Sequence, residues 1–240
     1  MNQIYFVARF KIHPDREDEF KSAAAACLAT TRAGEPGTLA YEWFINEEQT
    51  DVIVLEAYEN CEAVLAHIKN SGPRVPKLLQ CADQAVEGLG TPSAELRDRL
   101  PGRISFVPRF QGLSAPRLDD SGGGTDIRSI AHFRIHPGKL EEFKNGASAG
   151  LKIVAEKDPG TTAYEWYLDE PGGHCTVIEM YRDLEALLAH SKNVGHLVRG
   201  LLQVSDLAAE LCTTAAPASS LAALAKLPMR RFGYLQGLRP

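Results

Sequence analysis

Two histidines, His67 and His190, are the side chains best suited to chemistry, and each follows a helix-starting residue, Asn60 or Asp183, by seven positions. An imidazole with a pKa near about 6.5 takes or returns a phenolic proton at neutral pH. A well-placed general base is worth roughly 10²–10⁴ in rate. Asn70 and Asn193 stand one helical turn further along the same side. On a strand, Glu56 and Tyr58 share a face, as do Glu179 and Tyr181. A carboxylate there, within reach of the histidine, would fix its tautomer and raise its pKa. Trp43 and Trp166, with Tyr41 and Tyr164, could line a pocket for a planar substrate. Each group also has a plainer reading. The histidine could hold helix to sheet, the carboxylate could meet a lysine or arginine in solvent, and the indole could fill the core. His13 and His136 precede proline at strand-to-helix junctions and read as corner residues. Gln80 and Gln203 read as helix-surface or cap residues.

The elements that position these groups occur twice. Phe10-Lys11-Ile12-His13-Pro14 returns as Phe133-Arg134-Ile135-His136-Pro137, and Ala40-Tyr41-Glu42-Trp43 as Ala163-Tyr164-Glu165-Trp166. His13 and His136, Trp43 and Trp166, and His67 and His190 all stand 123 positions apart. Later the register slips by two, where Gln111-Gly112-Leu113 matches Gln236-Gly237-Leu238. These matches divide the chain into a first repeat over 1–113, a linker over 114–126 rich in turn formers, and a second repeat over 127–240. About 13 extended residues reach roughly 40 Å, enough for two small domains to pair within one chain.

Within a repeat, Ile4 to Ile12 alternates as a strand, and Pro14 with an acidic first turn opens a helix carrying Phe20, Ala24, Cys27 and Leu28. Two strands follow, Thr38 to Ile45 and Asp51 to Tyr58, then the helix capped by Asn60. Val75, Leu78, Leu79, Ala82 and Val86 predict a further helix, Ser93 to Leu100 a short one, and Arg103 to Phe110 a last strand. This is an α+β order: a ferredoxin-like repeat with helices on one face of an antiparallel sheet. Val7, Ile53 and Leu55 make the second sheet face apolar too, so each sheet needs two covers. The expected architecture is two antiparallel sheets packed as an intrachain pseudo-dimeric α+β barrel with a cavity between.

The chain has 240 residues, net charge −5 and pI near 5.8, which offers no basic field for nucleic acid. No apolar run approaches the roughly 18 residues of a membrane span, and Met1 to Tyr5 does not open a signal peptide. A cytoplasmic location is the expectation. Five cysteines without C-x-x-C spacing argue against a disulfide framework or a zinc site and suit small buried apolar residues. No histidine pair has H-x-x-x-H spacing, and no glycine-rich nucleotide motif follows a strand. The expectation is no metal and no cofactor.

The strand into His13-Pro14, Pro36-Gly37 before Tyr41-Glu42-Trp43, Val54-Leu55-Glu56-Ala57-Tyr58 and Ala63-x-x-Ala66-His67 together resemble the antibiotic-biosynthesis monooxygenase domain family, within the dimeric α+β barrel superfamily. The second half matches with Val177-Ile178-Glu179-Met180-Tyr181 and Ala186-x-x-Ala189-His190. Members include cofactor-free oxygenases of quinols or polycyclic phenols, haem-degrading oxygenases, signal-molecule isomerases and proteins with no established activity. The resemblance implies a monooxygenase without a bound cofactor, acting on a small quinol-like aromatic. His67 or His190 would act as general base, with Trp43, Trp166, Tyr58, Tyr181, Glu56, Glu179, Asn70 and Asn193 around the substrate. The other reading is a non-catalytic small-molecule-binding or scaffold protein of the same fold; haem degradation is disfavoured. Further association between chains stays open.

Overall fold

The computed structural model describes residues 3–100, 104–113, 127–213 and 229–238. The linker expected over 114–126 lies outside the described residues. Two compact units emerge, one of Met1–Phe106 with Phe232–Pro240, the other of Val107–Arg231.

The first unit opens with strand β1 (Ile4–Ile12), helix α1 (Glu17–Gly34), β2 (Thr38–Ile45) and β3 (Asp51–Tyr58). Glu17, Asp18 and Glu19 place negative charge at the positive end of α1. Phe20, Ala23, Ala24, Cys27, Leu28 and Thr31 form its buried stripe, at the three- and four-residue spacing of one helix face. Between β1 and α1, Asp15 takes φ 61°, a left-handed turn; the matching position of the second repeat is Gly138, at φ 77°. Helix α2 (Cys61–Ser71) runs through a 3-10 turn at Gly72–Arg74 into the short α3 (Val75–Leu79).

The predicted continuation of that helix through Ala82 and Val86 is corrected. Ala82–Leu89 is strand β4, paired antiparallel with β1 from Tyr5↔Leu89 to Ile12↔Ala82. The sequence Ala-Asp-Gln-Ala-Val-Glu has no strong strand preference of its own. What decides it is β1, whose second row of backbone donors and acceptors must be satisfied. A short α4 (Ala94–Arg99) and β5 (Ser105–Val107) follow. The strand order in this unit is β5-β4-β1-β3-β2-β11, where β11 is Arg230–Gly237.

The second unit begins with β6 (Arg109–Gly112) and β7 (Ile127–Ile135), then α5 (Leu140–Lys157), β8 (Thr161–Asp169), β9 (His174–Tyr181), α6 (Leu184–Leu201) and β10 (Ser205–Thr213). Its strand order is β10-β7-β9-β8-β6. Both repeats therefore have the expected ferredoxin-like α+β fold.

Each unit buries the same aromatic centre between sheet and helices. Phe10 stacks on Trp43 with centroids 5.7 Å apart, and Phe20 meets that indole edge-on. Phe133 stacks on Trp166 at 5.9 Å, and Phe143 takes the place of Phe20. The other face of each sheet is buried as well: Val7, Ile53 and Leu55 in the first unit, Ile130 and Ile178 in the second.

The last strand of each repeat lies in the other repeat's unit. β11 pairs with β2, Gln236 opposite Trp43, and β6 pairs with β8, Gln111 opposite Trp166. Both carry a register shift just before the glutamine, the irregularity that a bulge makes. The repeated Gln-Gly-Leu thus marks two strands with equivalent seats, each outside its own repeat. Leu238 N–H donates to the Tyr41 carbonyl at 3.2 Å, and Leu113 N–H to the Tyr164 carbonyl at 3.3 Å.

Candidate active site

His67 is held by two elements. Asn60 caps α2 by accepting a hydrogen bond from Ala63 N–H at 2.9 Å, which sets the helix phase and turns His67 toward the end of α1. There Glu35 caps the C-terminus of α1, with its backbone N–H donating to the Thr31 carbonyl. A carboxylate at the negative end of a helix dipole needs compensation. It comes from four side chains. His67 Nδ1 lies 2.6 Å from Glu35 Oε2, and Thr38 Oγ1 donates to the same oxygen at 2.9 Å. Asn70 Nδ2 and Ser71 Oγ donate to Oε1 at 2.9 and 2.8 Å. The Glu35 side chain is 1% exposed and that of His67 14%.

Burial alone would raise the Glu35 pKa, but the hydrogen bond and charge of His67, with Asn70 and Ser71, bring it down to about 2. On His67, burial pulls the pKa down, while the Glu35 hydrogen bond and the charges of Glu56 and Glu35 outweigh it and hold it above its ordinary value. Glu56 lies in the same electrostatic field. Burial pushes its carboxyl up, against the lowering effects of His67 and a 2.6 Å hydrogen bond from Tyr58 Oη. The rings of Tyr41 and Tyr58 flank the imidazole, with centroids 5.2 and 5.4 Å away. Burial first, then the nearby carboxylates, lifts both phenols well above their usual pKa.

The second repeat builds the same arrangement around His190, with the carboxylate, one of its donors and the helix cap changed. Asp183 accepts from Ala186 N–H at 2.8 Å and caps α6. His190 Nδ1 lies 2.9 Å from Asp158 Oδ2, and Asn193 Nδ2 donates to Asp158 Oδ1. His190 Nε2 faces Glu179 Oε1 at 3.9 Å, while Tyr181 Oη donates to Glu179 Oε2 at 2.8 Å. Tyr164 and Tyr181 flank the ring at 5.3 and 5.2 Å. Aspartate is one methylene shorter than Glu35, and Val194 stands where the first repeat has Ser71. Thr161, the counterpart of Thr38, is left with its buried hydroxyl unpaired.

Of the residues singled out from the sequence, His67, Asn70, Glu56 and Tyr58 converge, as do His190, Asn193, Glu179 and Tyr181. Trp43 and Trp166 lie one residue deeper, in the aromatic core behind Tyr41 and Tyr164. The carboxylates bonded to Nδ1, Glu35 and Asp158, were not anticipated. Glu35-Pro36-Gly37 reads as a turn, and the Glu-to-Asp change hides the equivalence of the two positions. Their spacing of 32 residues to each histidine, identical in both repeats, was the available signal. His13 and His136 occupy matching corners, where Nε2 meets Asp83 at 3.3 Å and Asp206 at 3.2 Å. Among the described residues no three His, Cys, Asp or Glu side chains converge to hold a metal ion.

Seated so, the imidazole has a defined polarity. In both repeats a carboxylate meets Nδ1, and in the second Nε2 faces Glu179. No curated protein matches the chain. Among solved structures, the fold is similar to presumed monooxygenases of Fusobacterium nucleatum (15% identity, TM-score 0.63, 87% of this chain and 90% of that one) and Lactobacillus acidophilus (13%, TM-score 0.59, 87% and 92%). It is also similar to an anthrone oxidase-like protein (10%, TM-score 0.53, 87% and 90%). The model of the family described as antibiotic biosynthesis monooxygenase matches residues 3–72 and 126–198, more than half of the sequence and one segment in each repeat, so this chain belongs to that family.

Proposed function

We propose that this protein is a cofactor-independent monooxygenase of a quinol or a related electron-rich aromatic, with His67 and His190 as general bases. The observation that supports it is the buried carboxylate–imidazole pair at the same place in both repeats. Nε2 would take the proton of a substrate hydroxyl, leaving a quinolate that reacts with O₂ itself. A quinol supplies both electrons: one oxygen atom is inserted, giving a hydroxyquinone, and the other leaves as water. Asn70 and Asn193 steady the carboxylates, while Tyr58 and Tyr181 hold Glu56 and Glu179 in place beside the ring. Trp43 and Trp166 support the tyrosines that flank it.

Oxygen uptake by the intact chain across a panel of naphthoquinols and anthrones tests this. Uptake above the autoxidation rate, with one O₂ consumed per substrate and a hydroxyquinone formed from a naphthoquinol or the anthraquinone from an anthrone, is the expected result. Small-molecule binding with no uptake would transfer the assignment to a non-catalytic capture protein, and the buried histidines would then be struts between helix and sheet.

A further inference from the structure

We infer that the first repeat carries a binding site for an aromatic carboxylate, in the groove between α1 and the 3-10 turn after α2, with Arg74 as its anion-binding group. The groove is open to solvent, has a volume of about 500 Å³, and is lined by Ala26, Ala29, Thr30, Ala33, Asn70 and Arg74, with Gly34 at its end. Its α1 side is Ala26, Ala29 and Ala33 with Thr30, and Asn70 and Arg74 come from α2 and the 3-10 turn. Arg74 donates weakly to the Asn70 carbonyl, at 3.5 Å, and makes no ion pair with a carboxylate among the described residues. A guanidinium so placed presents a fork of donors that matches a carboxylate.

The groove adjoins the candidate site through Asn70, whose amide reaches the Thr30 carbonyl at 3.4 Å on one side and Glu35 on the other. The charge of Arg74 also reaches inward. Burial pushes the Cys27 thiol up to about 11, and Arg74 is the group that opposes this.

The second repeat is an internal control. There α6 runs unbroken from Leu184 to Leu201, and Leu197 stands at the position of Arg74. Lys152, Ile153, Glu156 and Lys157 replace Ala29, Thr30, Ala33 and Gly34. His190 is also the more enclosed histidine, with its side chain 5% exposed against 14% for His67. The change of residues is therefore confined to one repeat and exchanges small α1 side chains and a free cation for bulk and mixed charge.

The site goes beyond the oxygenase reading and is independent of it: a ligand there lies on the Glu35–Asn70 side of the imidazole, and His67 does not line the groove. Binding can be tested apart from turnover with 1-hydroxy-2-naphthoate, an air-stable fluorescent phenol, against 1-naphthol, which lacks the carboxylate. The wild-type chain should bind one equivalent of the naphthoate, more weakly as salt rises. Arg74→Leu and, separately, Ala33→Glu should each weaken that binding by about tenfold and leave 1-naphthol unchanged. Both positions are exposed, and circular dichroism will show the fold retained. Equal naphthoate affinity in wild type and Arg74→Leu, or two equivalent naphthoate sites per chain, would overturn the inference even if quinols are oxidised. Arg74-dependent binding without oxygen uptake from any quinol would uphold the site and overturn the oxygenase function.

Discussion

At Glu35 a carboxylate sits at the unfavourable end of a helix, stripped of water and surrounded by four donors. Its folded pKa, about 2, lies below the ordinary 4.5. The stabilisation is thus fully present above about pH 4.5 and is lost as pH falls toward 2. Glu35→Gln should flatten the acid limb of the stability–pH curve between pH 4.5 and 2, measured by urea unfolding. The opposite sign holds at His67, whose raised pKa adds stability at low pH that disappears as pH rises through the folded value. On the proposed mechanism the same shift governs turnover at His67, because a general base must be deprotonated to act. The acid limb of kcat/KM should therefore lie above pH 6.5, and removing the Glu35 charge by Glu35→Gln should move it downward. An acid limb unmoved in that variant would separate the carboxylate from the proton transfer.

Helices and strands carry these groups to one place, and their energetics are separable. Asn60→Ala and Asp183→Ala each remove a side-chain acceptor from a helix N-terminus and should cost about 1 kcal/mol. Trp43→Ala should cost about 3–5 kcal/mol, because Phe10, Phe20 and Tyr41 all rest against the indole and none can fill its volume. Both caps were legible in the sequence, since local residue type determines them; the indoles read equally as pocket or core, and only their packing on Phe10 and Phe133 places them. β4 was not legible. Val75, Leu78, Leu79, Ala82 and Val86 keep a helical spacing across the boundary, and only pairing with β1 makes the second half a strand. Glu35 and Asp158 escaped notice for a related reason. Their partners lie 32 positions away, and nothing within the Pro-Gly turn reveals a contact at that distance.

For the chain as a whole, two repeats in sequence become two units whose closing strands are exchanged. Chain order put each Gln-Gly-Leu strand at the end of its own repeat, but a seat beside β2 or β8 is a matter of tertiary pairing, which repetition cannot disclose. Removing residues 230–240 should deprive β2 of its neighbour and weaken amide protection there, while β8, still paired with β6, keeps its protection in hydrogen exchange. The duplication also supplies the sharpest functional test, because each candidate histidine has a twin to remove with it. In quinol-dependent oxygen uptake, His67→Ala with His190→Ala should abolish turnover while leaving a folded protein. His13→Ala with His136→Ala should lower the melting temperature and leave turnover largely intact. Full activity in the first double variant, or loss of turnover confined to the second, would contradict the assignment of His67 and His190 as the proton-accepting residues.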